Sequence, residues 1–129
     1  MSFLRGLISR FMDALPAKAD DNVDEFLKNE RVRSVLRENG DDCKSPRTVQ
    51  HFAYFPDAAA QISFREFLVS RGYDIDDEHN EAEGRNAWAV IFSKIQIPLK
   101  IDGETALLGE HAGRLGGGYD GWEAEVVRK

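Results

Sequence analysis

The sequence predicts an α+β fold, and three observations carry that reading. From Thr48 onward, β-rich and helix-patterned segments alternate as strand, helix, strand, strand, helix, strand. Near the end, the run Gly116-Gly117-Gly118-Tyr119-Asp120-Gly121 joins a helix stop to a strand, because glycine supplies the positive φ that a helix exit or a bulge needs. Ahead of Gly40, apolar residues recur at the three- and four-residue intervals of helices. A chain of 129 residues is one domain's worth, long enough for a single core.

The elements follow in order. Phe3, Leu4, Leu7, Ile8, Phe11, Met12 and Leu15 share a helical spacing that Pro16 ends. Arg5, Arg10 and Asp13 interrupt that run, so neither a membrane span nor a cleaved leader is expected. A second helix is expected from about Asn22 to Asn39, capped by Asp20, Asp21 or Asn22 and stopped by Gly40. Its inner stripe reads as Val23, Phe26, Leu27, Val35 and Leu36, and its solvated side as Lys28, Glu30, Arg31, Arg33, Arg37 and Glu38. Gly40 to Pro46 reads as a polar linker. It divides a helical segment, 1–46, packing on the domain or a partner, from a domain at 47–129.

Within that domain, Thr48 to Phe55 is the first strand, and Asp57 caps a helix from Ala58 to Arg71 that shows Ala60, Phe64, Phe67 and Leu68 on one side. Gly72 closes it. Tyr73 and Ile75 begin a short strand, an acidic loop runs from Asp76 to Gly84, and Ala87 to Ile95 is the strongest strand, ended by Pro98. Asp102 caps the last helix, lined by Leu108, Ala112 and Leu115, and Trp122 to Val127 is the last strand. The order βαββαβ is the ferredoxin-like plan, preceded here by two N-terminal helices: two helices cover one face of a four-stranded antiparallel sheet. Both faces read as apolar, since Trp88, Val90 and Phe92 alternate with Ala87, Ala89 and Ile91, and Phe52 and Tyr54 alternate with Ala53 and Phe55, so the face without helices is apolar too. At about 25 cal/mol per Å² of apolar surface, that face calls for a cover, either the early helices or a second copy of the chain in a homodimer.

The formal net charge of −6 argues against direct nucleic-acid binding and for a basic protein partner. The lone cysteine, Cys43, has no second thiol to pair with and sits beside Asp41 and Asp42, which oppose thiolate formation, so a reducing, cytoplasmic setting is expected and a nucleophile is not. His51, His79 and His111 match no metal spacing, and the acidic run Asp74, Asp76, Asp77, Glu78 with Glu81 and Glu83 lacks the ligand pattern and central glycine of a calcium loop. Gly116 to Gly118 follow a helix instead of opening one, and no lysine-serine or lysine-threonine pair comes next, which argues against a phosphate loop. Neither cofactor, metal nor catalytic residue is expected, and the chain does not read as an enzyme. The residues singled out for contact with a partner are Asp74, Asp76, Asp77 and Glu78, an acidic patch suited to arginines, with Tyr119, Asp120 and Trp122. For the last three, an architectural role in the corner stands beside the contact role. A small-molecule sensor or accessory domain using the open sheet face is the other function class in view.

Two stretches, His51-Phe52-Ala53-Tyr54-Phe55-Pro56 and Tyr119-Asp120-Gly121-Trp122, resemble the regulator of ribonuclease activity B family, inhibitors of the endoribonuclease ribonuclease E. The resemblance runs from about Thr48 onward and leaves Met1 to Gly40 outside it. It implies a non-catalytic bacterial regulator that docks on ribonuclease E and modulates RNA turnover.

Overall fold

A computed structural model describes residues 21–81 and 86–129. The first expected helix, and the part of the acidic segment at 82–85, lie outside the described residues. The elements are α1 (Asp21–Glu38), β1 (Arg47–Phe55), α2 (Ala58–Ser70), β2 (Asp74–Asn80), β3 (Trp88–Gln96), a 3-10 turn (Pro98–Lys100), α3 (Asp102–Arg114) and β4 (Gly118–Ala124). This is an α+β arrangement in which one helix precedes the first strand among the described residues. The four strands form a single antiparallel sheet in the order β2-β3-β1-β4.

Alternation along β1 decides what each face carries. Val49, His51, Ala53 and Phe55 point to the helical side, in register with Phe92 and Val90 of β3. One core there joins Ala53, Phe55, Val90 and Phe92 to Ala60, Phe64 and Leu68 of α2 and to Leu108 and Ala112 of α3. All of these side chains were legible from periodicity. A second core gathers Val32 and Leu36 of α1 with Cys43, Val49, Ile101, Trp122 and Ala124. Helix α1 thus lies beside α3 at the β4 end of the helical layer, on the same side of the sheet as α2 and α3.

The three helices share one ending. After α3, Gly116 (φ +80°) donates to Gly113 O and Gly117 donates to Ala112 O, the paired bonds of a Schellman motif. The ends of α1 at Gly40 and Asp41, and of α2 at Gly72 and Tyr73, repeat the pair. At the start of α2, Asp57 accepts from Ala60 N at 2.8 Å, the cap its position predicts.

Several expectations need correction. Phe26 and Leu27 of α1 are about half exposed, whereas the buried stripe is Asn29, Val32, Arg33 and Leu36. That stripe is still helical in period. Its polar members are satisfied by groups far along the chain: Arg33, placed by the sequence on the solvated side, donates to Pro98 O at 3.0 Å and with both terminal nitrogens to Asp102. Asp102 consequently does not cap α3, which starts without a side-chain cap. The segment after α1 is no solvated linker either, since Asp41 and Cys43 are buried. Asp41 accepts from Cys43 N, Val127 N and the Arg47 guanidinium. Burial alone would raise the Asp41 carboxyl, and these bonds outweigh it and hold it below its usual range. Finally, the acidic residues after Ile75 belong to β2, and β4 ends at Ala124, with Val127 turned to the Asp41 clamp.

Candidate functional site

The residues singled out from the sequence separate into two places. Tyr119, Asp120 and Trp122 belong to β4, and Asp74, Asp76, Asp77 and Glu78 to β2, at opposite edges of the sheet.

At the β4 edge, the local sequence dictates the geometry. Tyr119 pairs with Ala53 and Trp122 with His51, so two residues, Asp120 and Gly121, stand against Phe52 alone. This is a β-bulge, and Gly121 takes the positive φ of +98° that it requires. Without the bulge, residues three apart would face opposite ways. With it, Tyr119 and Trp122 both enter the helical side, where they are 6% and 3% exposed. They therefore offer no surface to a partner in this structure, and each secures an internal bond instead. The Trp122 indole donates to Asn29 Oδ1 at 2.8 Å, while Asn29 donates to Asp102 Oδ1 and Thr105 Oγ1, tying β4 to α1 and α3.

Tyr119 opens a longer chain of bonds. His51 Nδ1 lies 2.7 Å from the Tyr119 hydroxyl, and His51 Nε2 lies 2.7 Å from Gln96 Oε1. Gln96 Nε2 donates to the Tyr73 hydroxyl at 3.2 Å, and Tyr73 donates to Glu104 Oε1 at 2.8 Å. Arg71 closes the chain with two bonds to the same carboxylate. Because the Gln96 amide gives its NH₂ to Tyr73, its oxygen accepts from His51 Nε2–H, so Nδ1 accepts from Tyr119. The imidazole is neutral throughout. Burial lowers its pKa to about 4, against a smaller upward pull from Gln96. Phe92 stacks on the ring and Tyr73 meets it edge-on. Burial raises the Tyr73 and Tyr119 hydroxyls above their ordinary range, and Glu104, though burial pushes it up, is held low by Arg71 and Tyr73. Gln96, Tyr73 and Glu104 escaped the sequence reading because they come from a strand end, a loop and a helix that only the fold brings together.

The β2 edge is the opposite environment. Asp74, Asp76 and Asp77 are exposed. Register places Asp74, Asp77 and His79 on the face away from the helices, where Asp76 also accepts from Ser93 Oγ and Gln50 Nε2 at 3.0 Å. Glu78 points to the helical side and pairs with Arg65 of α2 at 3.0 Å. His79 lies between Asp77 at 2.6 Å and Glu81 at 3.3 Å, and bonds to Asp77 and then Glu81 raise its pKa. Asp residues enter a strand here because side-chain bonds to β1 and β3, and a register shift between Ile75 and Asp77, settle them where propensity would not. Among the described residues no group of three or more His, Cys, Asp or Glu side chains is placed to hold a metal ion, and no helix is long and apolar enough to cross a membrane.

The two stretches with distinctive sequence thus meet as neighbouring strands joined through His51 and Tyr119. Comparison with known families finds the same unit: the description "Regulator of ribonuclease activity B" matches residues 27–124. The chain belongs to the regulator of ribonuclease activity B family. The match reaches further towards the N-terminus than the motifs alone, taking in most of α1, in keeping with the bonds from Asn29 and Arg33 into the rest of the fold. No curated protein matches the chain. Membership makes it a regulator of ribonuclease activity, with a protein as its partner.

Proposed function

We propose that the chain is a non-catalytic, cytoplasmic bacterial regulator that binds ribonuclease E and lowers RNA cleavage, using the β2 edge as its docking surface. Family membership supports the class of partner, and the exposed carboxylates of Asp74, Asp76 and Asp77 carry the choice of surface. The strand order β2-β3-β1-β4, with α2 and α3 crossing one face, supports a ferredoxin-like reading of the fold. Asp120 lies at the other edge, half-buried in the bulge. Tyr119 and Trp122 act from inside, holding β4 in place.

Carboxylates on a sheet edge attract arginine- and lysine-rich segments over a Debye length, about 8 Å at physiological salt. Such docking blocks RNA access to a basic channel without any chemistry of its own, and with a net charge of −6 the regulator does not compete for RNA itself. The test is to titrate the purified chain into ribonuclease E at low and high salt while following RNA cleavage. Salt-sensitive binding with slowed cleavage is the expected result. Absence of binding at micromolar concentration, or a salt-independent affinity, would defeat the proposal.

A further inference from the structure

Strand β2 ends the sheet on one side, in the order β2-β3-β1-β4. Along an antiparallel edge strand, residues alternate between those that bond inward to the neighbouring strand and those that turn their N–H and C=O outward. One bond fixes which are which. Glu81 N donates to Ala87 O at 2.7 Å, and the register that sets His79 against Ala89 and Asn80 against Trp88 continues to that pair. Glu81 and His79 therefore bond inward, while Glu78 and Asn80 turn their backbone groups to the outer side. Among the described residues, no strand or loop takes those groups up. Asp74, Asp76, Asp77 and Asn80 are exposed, so the edge is open to water. An open edge of this kind is a template for a further strand.

We infer that β2 receives an extended, lysine- or arginine-bearing segment of the ribonuclease as an added strand, bonded to the outward backbone groups of Glu78 and Asn80. This mode of binding rests on the β2 edge being the docking surface proposed above, and it names the form the partner takes there. Charge selects the occupant. Asp74, Asp76 and Asp77 lie on the face away from the helices, so an added strand meets them with every second side chain. Lysine or arginine at those alternate positions finds the carboxylates, while Glu78 on the other face is already engaged by Arg65. A second copy of this chain meets the reverse. Antiparallel pairing of β2 with its copy sets Asp77 against Glu81 when centred on His79, and Glu78 against its own copy when centred there; like charges directly opposite are destabilising. The bulge between Ile75 and Asp77 also confines the regular ladder to the residues after it, and bulges and charges are the means by which sheet edges escape self-association. The edge thus refuses its own copy and admits a segment of opposite charge.

The test follows hydrogen–deuterium exchange at single backbone amides of the full chain, alone and with ribonuclease E in excess. Exchange at Glu78 and Asn80 is expected to slow by about tenfold or more in the complex, while His79, already bonded to β3, changes little. Asn80→Pro removes one outward donor without altering charge, and proline is tolerated on the free side of an edge strand. Binding by that variant should weaken by about fivefold, with its salt dependence retained and its urea midpoint held. Complex formation with unchanged exchange at Glu78 and Asn80 overturns strand addition and leaves the docking surface standing. Absence of binding by the parent chain removes the docking surface itself, and strand addition with it. Should Asn80→Pro fail to fold, the exchange rates of the parent chain decide alone.

Discussion

The two edges of the sheet carry the residues that the sequence marked together, and they are built on contrary principles. At β4, every marked aromatic is inside and every polar atom on it has a named partner, so the edge tolerates little change. At β2, the marked aspartates Asp74, Asp76 and Asp77 are exposed, and Asp76 and Asp77 make adjustable surface bonds. A distinctive sequence motif can therefore report architecture, while a plain acidic run reports an exposed surface, the one proposed above for docking. The comparison can be broken by showing that the β4 corner is tolerant or that the β2 edge is structural.

The largest expected effect is at Gly117. A Cβ there would stand 2.3 Å from Tyr54 O and 2.4 Å from Phe55 Cδ1, so Gly117→Ala must push β1 away from the corner. Overpacking of this kind costs about 3 kcal/mol, to be read as a lowered urea midpoint at unchanged slope. A similar size is expected from acid. His51 is neutral and buried when folded, with a pKa of about 4, whereas unfolded histidine protonates near 6.5. The unfolded chain gains its proton first as pH falls, so this contribution is complete above about 6.5 and lost progressively down to about 4, for a total of about 3 kcal/mol. His111, lowered by burial, acts in the same direction, and the raised pKa of His79 acts in the other. Denaturation midpoints measured from pH 7 to 4 should fall steeply for the parent chain and less so for His51→Gln.

Tyr119→Phe comes next. It leaves His51 Nδ1 buried without its donor, a loss of about 1–3 kcal/mol, and thermal denaturation at pH 7 measures it. The smallest effects on stability belong to Asp76→Asn and Asp77→Asn, each within about 0.5 kcal/mol of the parent. Those two substitutions together should weaken binding to ribonuclease E by about tenfold and flatten its salt dependence. A large loss of stability from them, or binding left intact, would erase the distinction between the edges.

Much of this was readable beforehand for physical reasons. Strands β1 and β3, the helices α2 and α3, and their inward residues follow from apolar periodicity, and the caps and stops from Asp57, Gly72 and Gly116. The inner stripe of α1 was misread because Asn29 and Arg33 are polar, and their burial depends on Asp102, Thr105 and Pro98, about seventy residues later. Propensity hid the acidic strand in the same way: Asp76 is held by Gln50 and Ser93, neither of which is a neighbour in sequence. The motif at Tyr119 was recognised as distinctive, yet whether its aromatics face in or out depends on the register against β1, which local sequence does not contain.

The bulge at Asp120 and Gly121 makes chain length, more than residue identity, the critical variable of the corner. Two residues opposite Phe52 shift the phase of everything beyond them. Deleting Asp120 would leave both hydrophobic signature residues present and still turn Trp122 and Ala124 out of the second core, bringing Glu123 in. Descendants of this sequence can therefore exchange the aspartate for another side chain far more readily than they can lose or gain a single codon there.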